Sequence, residues 1–349
     1  MVKESEPATD VRSPMTTKIL LFGIALFLPL LLISPARVFC QADELLRHPP
    51  PGRMVDIGGY KLHINCTGKG QPTVVLLHGL GDFSFDWALV QPEVALTTRL
   101  CAYDRAGGAW SEPGPTPRGP LKLSQELHAL LQRSGEAGPY VLVGHSWGGL
   151  IARVYASEYP RDIAGVVLVD ATHEDEYWEI NGPIVVPRLL SDEEWAKIKP
   201  KEPLPRGNLP LAPKVRPPFD RLPPEIQELH LWAKSLARPM NVISGGDLRD
   251  IRTDLAEVYS LTRKSQRKHP LGNMPFAVIT RAAENGGPIP RKYLEYNMQL
   301  QLELSRLSRK GKYIVAATSD HHIQLTQPEL VIRTIREVIG AVRGRNSFR

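Results

Sequence analysis

The residues with the clearest chemical meaning are Gly144-His145-Ser146-Trp147-Gly148. They follow a short apolar run, Tyr140 to Val143, and precede a helical segment, Leu150 to Ser157. A serine at a sharp strand-to-helix turn needs small residues on both sides, because that turn is crowded and strained. The turn lifts the hydroxyl clear of the chain, at a helix N-terminus that favours developing negative charge. This is the setting of a nucleophile in acyl transfer. Such a nucleophile also needs a histidine as base and a carboxylate to orient the imidazole. Gly-x-Ser-x-Gly alone also fits a plain turn. The strand before it and the helix after it favour the catalytic reading.

The elements that must position this turn are legible as short apolar runs. Met54 to Ile57 and Tyr60 to Cys66 flank Gly58-Gly59 and predict a β-hairpin. Further runs lie at Thr73 to Leu77, Leu100 to Tyr103, Tyr140 to Val143 and Ala164 to Val169. Two more lie at Phe276 to Ile279 and Tyr313 to Ala316. These runs do not alternate with polar residues, and helical stretches such as Leu123 to Gln132 separate them. That pattern predicts a parallel sheet covered on both faces. Between Thr172 and His269 the pattern changes. Eleven of the 32 prolines fall between Pro183 and Pro224, which excludes long regular elements there. Ser191-Asp-Glu-Glu194 reads as a capping box, Leu222-Pro223-Pro224 precedes a helical pattern, and Arg249 to Ser265 fits an amphipathic helix. The expectation is a helical lid over 172–270, inserted between core segments 54–171 and 271–349.

From Met54 to the C-terminus the chain resembles the α/β-hydrolase fold, a mostly parallel eight-stranded sheet with helices on both faces. Leu77-His78-Gly79-Leu80-Gly81 is similar to the family's loop after the third strand. The resemblance implies that the backbone N–H groups of Leu80 and Trp147 form the oxyanion hole, each worth about 3 kcal/mol. Tyr103-Asp104-Arg105-Ala-Gly107-Gly108-Ala-Trp110-Ser111 is similar to a family stretch that is usually structural, and no catalytic role is assigned to it. The family's chain order is Ser, then Asp or Glu, then His. The base is therefore sought in Asp320-His321-His322-Ile323-Gln324-Leu-Thr-Gln-Pro328-Glu329. The family typically places its base seven residues before the proline of a closing Gln-Pro-Glu, here Pro328, so the resemblance implies His321, with His322 as the alternative. The usual Gly-x-x-Asp pattern after the seventh strand is missing, and Glu284 is the only acid nearby. Asp170, directly after Leu168-Val169, is favoured as the acid, with Glu284 and Asp175 as alternatives.

The resemblance implies a serine hydrolase acting on a carboxylic ester or related acyl substrate through an acyl-enzyme. A peptidase, a carbon–carbon bond hydrolase and a non-turnover receptor for a small ligand are the alternatives. A serine at the elbow argues against relatives that use an aspartate nucleophile, such as epoxide hydrolases and haloalkane dehalogenases. No cofactor is implied, and the acids and histidines show no compact metal-ligand spacing along the chain. Trp87, Trp147, Trp178, Trp195 and Trp232 fit either an apolar pocket or the core. Of 349 residues, 23% are charged, and the net charge of +6 is spread along the chain without a nucleic-acid motif. Ile19 to Ile33 is apolar and uncharged for fifteen residues, which is short for a membrane span. With Cys40-Gln41-Ala42 after it, residues 1–42 read as a signal peptide or a short membrane anchor. Residues 43–53 read as a linker, and the catalytic domain is expected outside the cytoplasm. The family's strand order places Cys66 beside Cys101, and export permits a disulfide between them.

Overall fold

The edge hairpin shows how local chemistry starts the fold. Gly58 and Gly59 turn at φ of +116° and +115°, a region open to glycine at no steric cost. Asp56 Oδ1 accepts both their N–H groups at 2.7 and 3.0 Å. The turn joins β1 (Arg53–Asp56) to antiparallel β2 (Lys61–Thr67). The computed structural model describes residues 47–201, 214–236, 249–263, 268–282 and 290–344. The leader expected over 1–42 and the alternative acid Glu284 lie outside the described residues. Among those residues, no helix is long and apolar enough to cross a membrane.

The central strands are β3 (Thr73–Leu77), β4 (Leu100–Tyr103), β5 (Tyr140–His145) and β6 (Ile163–Val169). A two-stranded ribbon follows, β7 (Trp178–Glu179) with β8 (Ile184–Val185). The sheet is completed by β9 (Phe276–Arg281) and β10 (Gly311–Ala316). The eight-stranded order is β1-β2-β4-β3-β5-β6-β9-β10, parallel from β4 onward. Cys66 and Cys101 are register partners on β2 and β4 and are disulfide-bonded.

Nine helices are described: α1 (Gln91–Ala95), α2 (Pro120–Ser134), α3 (Trp147–Glu158), α4 (Asp192–Ile198), α5 (Pro224–Ser235), α6 (Ile251–Arg263), α7 (Arg291–Ser305), α8 (Ile323–Thr326) and α9 (Pro328–Val342). Alternate residues of each strand serve opposite layers. Val75, Leu77 and Leu142 pack with Leu127 of α2, Ile151 of α3 and Val258 of α6. Val74, Leu76 and Val143 pack with Val94 of α1 and with Val331, Ile335 and Val338 of α9. Burial on both faces explains why these strands read as unbroken apolar runs. Each such side chain contributes roughly 1.5–3 kcal/mol of transfer free energy.

Between β6 and β9 the described residues build the ribbon and three of the helices, α4, α5 and α6. Ser191 caps α4 as its sequence predicts: its Oγ accepts the N–H of Glu194 at 3.2 Å, and Glu194 Oε2 accepts that of Ser191 at 2.8 Å. Pro224 occupies the first turn of α5, where a missing N–H costs nothing. Helices α7 and α9 were not anticipated from the sequence. α9 has a clear apolar stripe, Val331, Ile335, Val338 and Ile339, at helical spacing.

Candidate active site

Ser146 sits between β5 and α3 with φ +50° and ψ −121°. A non-glycine residue in this region stores about 1–3 kcal/mol of strain. The neighbouring glycines are there for space. A Cβ on Gly148 would lie 2.3 Å from the Leu77 carbonyl oxygen, and one on Gly144 would lie 2.5 Å from the Gly148 oxygen. The elbow is also tied to the loop after β6. Ser146 N–H donates to Val169 O at 3.1 Å, and Ser146 O accepts from Thr172 N–H at 3.0 Å. Asp170 lies between those two anchors, so the sheet fixes the serine and the acid relative to each other.

Asp170 has φ +40°, and its N–H donates to Ile279 O at 2.7 Å. Its Oδ2 lies 2.7 Å from His321 Nδ1. Its Oδ1 accepts the Arg281 N–H at 3.1 Å and the Thr280 hydroxyl at 3.3 Å. The Arg281 guanidinium stands 3.4 Å from Oδ2. Burial alone would raise this carboxyl, but His321 and Arg281 outweigh it and hold it down at about 2. The carboxylate is therefore charged and cannot rotate freely. Desolvation pushes the His321 imidazole down to about 4 against the pull of Asp170, although its side chain remains 36% exposed. At neutral pH the ring is neutral, the form a general base needs.

Ser146, Asp170 and His321 share one cavity of about 840 Å³ with Leu80. Leu80 follows Gly79, and its N–H belongs to a peptide held from beneath. Arg105, 1% exposed, donates to the carbonyls of His78 at 2.7 Å and Gly79 at 2.6 Å. Those bonds fix the peptide plane from which the Leu80 N–H projects. Trp147 is the first residue of α3, where backbone N–H groups have no helical acceptor. Sequence reasoning missed Arg105, Thr280 and Arg281. A buried arginine two residues past a strand end, as in Tyr103-Asp104-Arg105, was the available signal for the first.

The remaining candidates separate cleanly. His322 faces Asp82 (3.7 Å) rather than Asp170. Asp175 pairs with Arg188 at 2.6 Å. Of the five tryptophans considered for a pocket, Trp178 lines the cavity. The buried Trp87, Trp147, Trp195 and Trp232 pack into the cores instead. The lining also includes apolar Ile184, Leu294 and Met298 and polar Glu176, Arg281, Asn297 and Gln301.

A family model described as the alpha/beta hydrolase fold matches residues 72–198, which run from the start of β3 through α4. This chain has the α/β-hydrolase fold. An AB hydrolase superfamily protein from Gibberella zeae is 23% identical over 305 residues, covering 79% of this chain and 89% of that protein. Among solved structures, the epoxide hydrolase CorEH covers 83% of this chain and 98% of its own, at a TM-score of 0.56 and 19% identity. A thermophilic esterase from Thermogutta terrifontis covers the same shares at a TM-score of 0.53 and 20% identity. Neighbours of such different named activities share the α/β-hydrolase fold with this chain, and the fold leaves the reaction to the site.

Proposed function

We propose that this α/β-hydrolase is a serine hydrolase that cleaves a carboxylic ester through Ser146, His321 and Asp170. The observation that carries the reading is the 2.7 Å contact between His321 Nδ1 and Asp170 Oδ2 in the cavity that Ser146 opens into. Nδ1–H donates to the carboxylate, which leaves Nε2 with a lone pair to take the serine proton. As the Ser146 oxygen attacks the ester carbon, the carbonyl electrons move onto its oxygen, facing the N–H groups of Leu80 and Trp147. The intermediate collapses, the imidazolium protonates the departing alcohol, and an acyl-enzyme remains. Water, deprotonated by His321, then releases the acid and restores Ser146.

A cavity of about 840 Å³ with apolar Leu80, Trp178, Ile184, Leu294 and Met298 suits an acyl chain of modest length. A panel of chromogenic esters of increasing acyl length tests the reading. The expected result is multiple turnover with an optimum at short to medium chains. Single-turnover labelling with tight product retention would make the protein a receptor instead.

We further propose that the catalytic domain works outside the cytoplasm. Support comes from the apolar run Ile19 to Ile33 and from the Cys66–Cys101 disulfide, a bond that persists in oxidising compartments. Mass spectrometry of the native protein tests this. A mature N-terminus near Asp43 or a membrane-bound full-length chain is expected, and a full-length chain found only in cytosol would overturn it.

A further inference from the structure

Two loops and a strand end at the C-terminal edge of the sheet bring Asp82, His145 and His322 together beside the catalytic site. Asp82 comes from the loop after β3, His145 ends β5, and His322 follows His321. His145 Nδ1 lies 3.3 Å and His322 Nε2 3.7 Å from the same atom, Asp82 Oδ2. Among the described residues, three other histidine–aspartate contacts are closed hydrogen bonds, whereas His128 Nδ1, 3.3 Å from Asp162 Oδ2, bonds the Tyr155 hydroxyl. His63–Asp104 stands at 2.7 Å, His230–Asp86 at 2.8 Å and His321–Asp170 at 2.7 Å. The Asp82 cluster is open. The side chains of His145 and Asp82 are 1% and 7% exposed, yet His145 Nδ1 is buried without a hydrogen-bond partner.

The tautomer of His145 makes this arrangement informative. Its Nε2 lies 3.0 Å from the carbonyl oxygen of His321, so Nε2 must be the donor. In the neutral ring Nδ1 is then a bare lone pair 3.3 Å from a carboxylate oxygen and off the direct line to it. Two lone pairs at this spacing repel unless a proton or a metal ion is shared by them, and the absence of an aligned hydrogen bond favours the metal ion. Ligand atoms about 2.0–2.1 Å from a tetrahedral zinc ion are separated by roughly 3.3 Å, which matches this spacing. An imidazole that ligates through one nitrogen and donates its other N–H to a backbone carbonyl is also the usual form of a metal-bound histidine. Gly79 supplies room beside both atoms. A Cβ there would lie 2.6 Å from Asp82 Oδ2 and 2.8 Å from His145 Nδ1. The His322 side chain, 19% exposed, opens the cluster toward solvent.

We propose that Asp82, His145 and His322 form a binding site for a divalent transition-metal ion of the zinc class, with one coordination position left open. The ion would join the loop after β3, the nucleophile elbow and the loop carrying His321, and so clamp the catalytic elements without touching the reaction.

The test uses the full chain stripped with a chelator and then titrated with Zn²⁺ or Co²⁺. One equivalent of metal should be retained through gel filtration. The Co²⁺ form should show the visible absorption of a four-coordinate ion, and bound Zn²⁺ should raise Tm. His322→Gln and Asp82→Asn should each weaken binding by at least about 100-fold, since loss of groups that merely orient ligands already costs about 10–100-fold. If Asp82→Asn does not fold, the partly exposed His322→Gln carries the test. His321→Ala should retain the metal. No stoichiometric uptake, uptake indifferent to both ligand variants, or uptake lost in His321→Ala would overturn the site.

Discussion

Two carboxylates flank the loop that carries His321, and their surroundings differ in kind. Asp170 has donors on both oxygens: the imidazole Nδ1, the Arg281 N–H, the Thr280 hydroxyl and, at 3.4 Å, the Arg281 guanidinium. Asp82 faces two imidazole nitrogens at 3.3 and 3.7 Å, and the buried one has no hydrogen-bond partner. The first environment fixes a ring and leaves nothing to bind. The second lacks a closed hydrogen bond between its ring nitrogens and the carboxylate, and it is the one proposed to hold a cation. A buried carboxylate is therefore read by the geometry of its donors and not by its mere nearness to a histidine.

The largest expected effect breaks the Asp170 half of this comparison. Asp170→Asn keeps the fold but should lower kcat by about 10⁴, the scale of losing a triad acid. Steady-state ester hydrolysis measures it, and a loss below tenfold would remove Asp170 from the role. Arg105→Met tests the loop shared by Leu80 and Asp82. Freeing the carbonyls of His78 and Gly79 should lower kcat by on the order of 10², near the cost of one oxyanion donor, with little change in KM. A change confined to KM would mean that Arg105 shapes binding instead. Glu284→Gln should cost less than about tenfold, roughly 1.4 kcal/mol of barrier. Losses near those of Asp170→Asn would move the acid to Glu284.

The smallest effect is on stability. Burial, reinforced by the charge of Asp170, raises the Glu176 carboxyl from 4.5 to about 8. The unfolded chain releases this proton near pH 4.5, while the folded chain holds it until about pH 8. Glu176 therefore costs stability progressively as pH rises between those values. Glu176→Gln should flatten that decline, so its Tm advantage over the parent should be greater at pH 8 than at pH 5. Parallel Tm curves would show that Glu176 ionises normally.

Much of this was legible because the chemistry demanded particular residues. Gly144 and Gly148 announced the elbow, since any Cβ there meets backbone at 2.3–2.5 Å. The strands were legible because burial on both faces removes polar residues from them. The acid was harder to read. The end of β9 carries Thr280 and Arg281 where an acid was sought, and these residues serve as donors to Asp170, directly after β6. The Asp82 cluster was invisible along the chain because its members come from three separate segments, two loops and the end of β5, which only the sheet order brings together. Helix α7 was missed as well: its buried Leu294, Leu300, Gln301, Leu304 and Ser305 include two polar residues that blur the apolar stripe.

The most direct test of the central claim is covalent labelling with a fluorophosphonate, followed by mass spectrometry of the digested protein. The account predicts one adduct, on the peptide containing Ser146, absent in Ser146→Ala and strongly slowed in His321→Ala. An adduct on another residue, or undiminished labelling of Ser146→Ala, would contradict it.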